Sequence, residues 1–138
     1  MKILITFLIS LVPLGLYIQP DSEIAGVEKT LNYYLEGATA EEVGKAFHAE
    51  AELKFVRDGK YETITATEFL DRIRGAEKPE RITRIRSIQI TGNAASACVE
   101  QEYETHTFVD YINLLKIDGE WKIVNKIFDR MVKEDAPN

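Results

Sequence analysis

Asp110-Tyr111-Ile112-Asn113-Leu114-Leu115-Lys116-Ile117-Asp118-Gly119-Glu120-Trp121-Lys122-Ile123-Val124-Asn125-Lys126 is two runs of strand-forming residues joined by an Asp-Gly pair. Aliphatic and aromatic residues on both sides of such a turn dipeptide predict a β-hairpin. The pattern continues toward the N-terminus, where Ile82 to Thr91 reaches a Gly92-Asn93 turn, Ala94 to Glu104 returns, and Thr107 to Ile117 follows. With Trp121 to Met131 closing the sheet, the second half reads as a meander of long strands, which suits strong curvature. Arg84 and Arg86 alternate in one phase and Ile85 in the other, so a bulge is expected there. Glu100, Glu102 and Glu104 share a phase in the next strand and are expected to pair with Arg84 and Arg86.

The first half has a different period. Ile24, Val27, Leu31 and Tyr34 recur at spacings of three and four, which predicts a helix with one apolar stripe after a Pro20-Asp21-Ser22 linker and cap. Gly37 is expected to end it in the left-handed conformation. Thr39 and Glu42 form a capping-box pair that opens a short second helix carrying Val43 and Phe47 inward. From Ala51 the period becomes two, with Leu53 and Phe55 against Glu52 and Lys54, and Asp58-Gly59 turns the chain into Lys60 to Thr65. Thr65 and Glu68 then open a third helix bearing Phe69, Leu70 and Ile73 and closing at Gly75. Helices first and antiparallel strands later give the α+β class.

Composition limits the function. The chain has 138 residues and a formal charge of −6 at pH 7, a balance that repels phosphate backbones and excludes a nucleic-acid partner. Charged residues make up 29%, too many for a polytopic membrane protein. Cys98 is the only cysteine, so no internal disulfide forms, and a lone thiol in an apolar strand reads as a small buried hydrophobe. His48, His106 and Cys98 are too scattered to form a recognisable metal-ligand set, and no cofactor is implied.

Residues 1–20 read as an address. Met1-Lys2 precedes an uncharged apolar run from Ile3 to Ile18, the layout of a secretory signal peptide. Leu16, Tyr17 and Ile18 are bulky where cleavage wants small residues, which leaves an uncleaved anchor as the alternative and the only membrane contact expected. The expectation is export to the periplasm or beyond, with residues 21–134 as one domain.

The order helix, helix, hairpin, helix and long strands resembles the nuclear transport factor 2-like superfamily. So do the segments Phe47-His48-Ala49-Glu50-Ala51 and Gly92-Asn93-Ala94-Ala95-Ser96-Ala97, and most specifically the closing stretch 110–126, which is similar to the SnoaL-like and lumazine-binding branch. The resemblance covers all but the leader and the last few residues. It implies a conical fold, a curved mixed or antiparallel sheet wrapped around the N-terminal helices, with a pocket open at one end. It also implies a homodimer through the outer sheet face. Relatives include isomerases, dehydratases and cyclases as well as binding domains, so fold alone does not fix function.

Strand phase decides what lines the cone. A three-residue hairpin with a bulge at Asp118-Gly119-Glu120 would pair Ile117 with Trp121, Leu115 with Ile123, Asn113 with Asn125 and Tyr111 with Ile127, all facing inward. Asp110, Ile112, Leu114, Lys116, Lys122, Val124, Lys126 and Phe128 would then form the outer face. A two-residue turn would shift the pairing by one, and inside and outside partners would no longer match. On the first register the ligand-binding candidates are Tyr111, Asn113, Asn125, Trp121, Tyr33, Tyr34, His48, Gln101 and Tyr103. Asn113 and Asn125 could instead satisfy only each other, and His48 could cap carbonyls or face water.

Three functions fit. The first is a non-catalytic domain binding a small molecule or a partner. The second is a lyase or isomerase of the ketosteroid isomerase or SnoaL type using His48 or Asp110 as base. The third is a purely structural dimerisation module whose pocket is filled by Tyr33, Tyr34, Phe55 and Trp121.

Overall fold

The computed structural model describes residues 21–134; the leader expected over residues 1–20 lies outside them. Helix α1 (Asp21–Glu36) is already helical at Asp21, so Ser22 sits inside its first turn and is not its cap. The predicted stripe faces the core, with Val27, Leu31, Tyr34 and Leu35 buried. Thr30 is buried among them because its hydroxyl donates to the Trp121 carbonyl at 2.8 Å. Gly26 lets Trp121 approach, since a Cβ there would lie 2.9 Å from the indole. Gly37 is not left-handed, contrary to expectation. It is needed for space: an added Cβ would come within 2.6 Å of the Tyr33 carbonyl oxygen.

Helix α2 (Ala40–Gly44) is capped by Thr39, whose hydroxyl accepts from the Glu42 N–H. Phe47 belongs to strand β1 (Phe47–Arg57), which starts earlier than the alternation from Ala51 suggests. An Asp58-Gly59 turn leads to β2 (Lys60–Thr65), and the Thr65–Glu68 capping box opens α3 (Ala66–Ile73) as read from the sequence. The remaining strands are β3 (Ile82–Thr91), β4 (Ala94–Glu102), β5 (His106–Ile117) and β6 (Glu120–Val132). Arg84 and Arg86 pair with Glu102 and Glu100, and the register of β3 shifts between Ile85 and Ser87, where the bulge was expected.

The six strands form one open sheet in the order β2-β1-β6-β5-β4-β3. Every neighbour is antiparallel except β1 and β6, which are parallel and set the first and last strands side by side. The helices cover one face, and the core lies between: Leu53, Val99, Ile112, Leu114 and Ile123 are all fully buried against Val27 and Leu31 of α1. No helix among the described residues is long and apolar enough to cross a membrane.

The register of the closing hairpin differs from the expected one in an instructive way. Asp118 and Gly119 have φ of 50° and 82°, the two positive values of a two-residue type I′ turn. Ile117 therefore pairs with Glu120 and Leu114 with Ile123. The mismatch that this creates is absorbed inside β6: Asn113 pairs with Asn125, so Val124 has no partner and bulges. One extra residue reverses the phase of β6 beyond it. Trp121 and Ile123 face inward before the bulge, and Lys126 and Phe128 face inward after it. Along β5, Asp110, Ile112 and Leu114 are inside, and Tyr111, Asn113 and Leu115 are exposed. The face assigned inward over Tyr111, Asn113, Leu115, Asn125 and Ile127 is thus the outer one.

Candidate functional site

The reversed phase delivers two charges to the interior. Asp110 from β5 is 0% exposed and Lys126 from β6 is 4% exposed, with the Lys126 Nζ 3.1 Å from Asp110 Oδ1. Charges so buried persist only when paired and hydrogen-bonded. Tyr34 of α1 and Gln101 of β4 complete the set. The Tyr34 hydroxyl donates to Asp110 Oδ2 at 2.7 Å and accepts from Lys126 Nζ at 2.7 Å and Gln101 Nε2 at 2.8 Å. Gln101 Nε2 also reaches Asp110 Oδ2 at 2.9 Å. Burial, and then the Asp110 charge, push the Tyr34 hydroxyl well above its ordinary value. Burial also lowers Lys126 below the usual lysine range, opposed by the attraction of Asp110. The ammonium lies over the rings of Phe128, Tyr34 and Phe69 at 4.3, 5.0 and 5.9 Å, a placement that offsets part of its lost hydration.

This cluster borders a cavity of about 420 Å³. Its walls are mainly Leu53 and Phe55 of β1, Ile64 of β2, Phe69 and Ile73 of α3, and Phe128 of β6. The amphipathic face of α3, predicted from its spacing, closes one side. Tyr34, Gln101 and Lys126 supply the buried polar end, whereas Asp110 stands behind them and does not line the cavity. An ammonium has three hydrogens. Lys126 uses two on Tyr34 and Asp110, which leaves one N–H for an acceptor.

Of the residues singled out in the sequence, Tyr34, Gln101 and Tyr103 line this cavity. Tyr111 is 55% exposed on the outer face, and Asn113 donates to Asn125 there at 2.9 Å, so that pair satisfies itself. Trp121 is core, its indole N–H donating to Glu23 at 3.1 Å. Tyr33 borders a separate shallow depression along α1. His48 is half-buried on β1, its Nδ1 accepting from the Glu50 N–H, away from the cavity. His106 stacks on Tyr103 with centroids 4.7 Å apart, and burial lowers its pKa. Cys98 is half-buried opposite Tyr111 on the outer face rather than in the core, and burial pushes its thiol up. Among the described residues, no group of three or more His, Cys, Asp or Glu is placed to hold a metal ion.

Sequence reasoning missed Lys126, Phe69, Phe108 and Phe128 as cavity residues. A signal existed: Asp110 and Lys126 share their phases with Ile112, Leu114 and Phe128, and opposite charges in two facing apolar phases suggest a buried pair.

A helix-backed curved sheet enclosing an apolar cavity with a buried polar end defines a nuclear transport factor 2-like cone. Within that class, the chain belongs to the family described as "putative lumazine-binding", which matches residues 22–129. It is similar to a solved protein from Methylobacillus flagellatus KT, 32% identical, covering 81% of this chain and 94% of that one, with a TM-score of 0.73. A protein from Shewanella baltica OS155 is 28% identical over 82% of this chain and 97% of that one, with a TM-score of 0.74. A third, from Silicibacter pomeroyi DSS-3, is 20% identical over 84% of this chain and 100% of that one at a TM-score of 0.70, which supports the fold alone. All three are described as nuclear transport factor 2-like proteins of unknown function. No curated protein matches the chain.

Proposed function

We propose that this domain binds a small, flat, largely apolar molecule in the cone and does not transform it. The observation that carries this reading is the cavity of about 420 Å³ ending on a buried polar cluster in which Lys126 keeps one N–H to offer. That volume is within the range of small-molecule sites. It far exceeds the roughly 30 Å³ that one water occupies in the liquid, which argues against a module whose pocket is filled by its own aromatic side chains. A ligand present at about 100 times its Kd stabilises a native state by about 2.7 kcal/mol. A thermal-shift screen of flat hydroxylated metabolites, with native mass spectrometry for anything that co-purifies, is therefore expected to find a saturable stabiliser. Ile73→Trp, which fills the cavity from α3, is expected to abolish that shift while leaving the ligand-free transition cooperative. An undiminished shift in Ile73→Trp would remove the cone as the site.

A lyase or isomerase reading draws on the same cluster, because Asp110 lies inside beside a tyrosine. It is the weaker reading, since Tyr34, Gln101 and Lys126 cover that carboxylate and occupy both its oxygens. Turnover of a hydroxylated aromatic or polyketide that is lost on Asp110→Asn would reverse the order.

The outer face supports a homodimer. Tyr111, Ile127, Leu115 and Met131 are 55%, 50%, 42% and 59% exposed on one side of the sheet, a concentration of apolar surface that monomers rarely leave in water. Tyr111→Asp combined with Ile127→Asp is expected to halve the mass seen by light scattering. A monomeric parent protein would end this part of the proposal. The leader at residues 1–20 supports function outside the cytoplasm; full-length protein confined to the cytosolic fraction would contradict it.

A further inference from the structure

The cavity wall has a charge character that the whole chain lacks. With a formal charge of −6 overall, the chain nevertheless lines this cavity with Arg57, Arg72, Lys78, Arg81 and Lys126 against Glu77 alone. Three of those cations are already matched: Arg57 by Glu62 at 3.7 Å, Lys78 by Glu36 at 2.8 Å and Lys126 by Asp110 at 3.1 Å. Two are left, Arg72 and Arg81; among the described residues neither has a carboxylate within ion-pair distance, and the one with a buried unpaired donor is Arg81. Glu36 acts on it only from further away, because that carboxylate is held by Lys78 and the Thr83 hydroxyl.

The setting of Arg81 is nevertheless built. Its Nη2 donates to the Leu35 carbonyl at 2.7 Å, at the C-terminal end of α1, and its guanidinium lies 5.9 Å from the Tyr103 ring centroid. The Tyr103 hydroxyl is 3.4 Å from Nη1. These contacts fix the plane of the group and contribute no formal charge. Its Nε is buried and has no hydrogen-bond partner. Buried donors left unpaired are uncommon and costly, and a guanidinium edge is shaped to receive both oxygens of a carboxylate.

We infer that the cone takes a flat aromatic monocarboxylate, with the carboxylate on Arg81, the ring among Phe69, Phe108 and Phe128, and a neutral acceptor on Lys126. This rests on the small-molecule reading above and narrows its ligand class. Lys126 is not the carboxylate's partner, because Asp110 already cancels its charge and would repel a second anion. Arg81 carries no carboxylate of its own at ion-pair distance among the described residues, and Glu36 reaches it only from further away.

The test compares 2-naphthoate with 2-naphthamide, which has the same shape and no charge, by calorimetric titration of the full-length protein. A charged acceptor on a guanidinium gains over a neutral one by an amount that corresponds to about tenfold in Kd. Naphthoate is expected to bind at least that much tighter. Arg81→Gln is expected to bring the two affinities within about twofold of each other, with amide binding retained as the sign of an intact cone. Should Arg81→Gln fail to fold, Arg81→Lys decides, because it keeps the charge without the fork and is expected to retain only part of the preference. Equal binding of acid and amide to the parent protein, or a preference undiminished in the variants, would overturn the carboxylate and leave the pocket standing. Binding of neither compound, in a protein that also shows no stabiliser in the metabolite screen, would overturn both.

Discussion

Deletion of Val124 is expected to abolish folding, with no cooperative transition in urea and loss of near-ultraviolet dichroism. Val124 has no partner in β5, and its single extra residue sets the phase of everything after it in β6. Without it, residues 125–132 slide by one and exchange faces. Lys126 and Phe128 would leave the interior, Asn125 and Ile127 would enter it, and Asp110 would remain buried without its ammonium. Because β6 lies between β5 and β1, the parallel pairing that resumes at Glu52 and Asn125 would be displaced too. The side chain itself matters little: Val124 is only half-buried, and Val124→Ala is expected to cost about 1 kcal/mol. A folded deletion variant with a stability near that of Val124→Ala would show that the bulge does not set the register.

The second large effect concerns the buried ion pair. Asp110→Ala strands Lys126 at 4% exposure, and breaking such a pair costs about 3–5 kcal/mol. Replacing both charges removes the desolvation penalty together with the attraction. Asp110→Leu with Lys126→Met is therefore expected to recover more than half of that loss, with the remainder reflecting the Tyr34 hydroxyl deprived of its acceptor. A double variant no more stable than Asp110→Ala in urea would disprove the coupling. The pH dependence has a definite sign. Lys126 has a folded pKa below its unfolded value of 10.5, so between the two the unfolded chain binds more protons and stability rises with pH. Tyr34, raised above 10.0, acts oppositely once pH exceeds that value, because the native state then keeps the extra proton. The rise below pH 10.0 is expected to be absent in the double variant.

The hairpin shows why the fold was more legible than the site. Asp118-Gly119 states its turn type directly, since few other pairs accept two positive φ values. Taken at face value it demands a two-residue turn. The inward and outward residues of β5 and β6 then fail to match unless an extra residue intervenes, and nothing local at Val124 announces one: it is a valine in a run of strand formers. A three-residue turn restores a match by a simpler route and turns most of the hairpin inside out. The candidates Tyr111, Asn113 and Asn125 followed from that choice, as did the placing of Asp110 and Lys126 outside. Tyr34 and Gln101 were independent of it, the first fixed by a helical stripe and the second by the alternation of β4, and both line the cavity.

Local chemistry in the sequence therefore determined the elements, their order, both threonine caps, the β3 bulge and the resemblance to a conical family. Each of those depends on residues within a few positions of one another, or on a period that repeats. The tertiary structure alone decided which face of β5 and β6 is interior, that Gly37 serves close packing against Tyr33, and that Asp110, Lys126, Tyr34 and Gln101 meet. Those four lie on α1, β4, β5 and β6. Their burial is favourable only because the ion pair and the hydrogen bonds around it form together, a condition that no single segment of the chain contains.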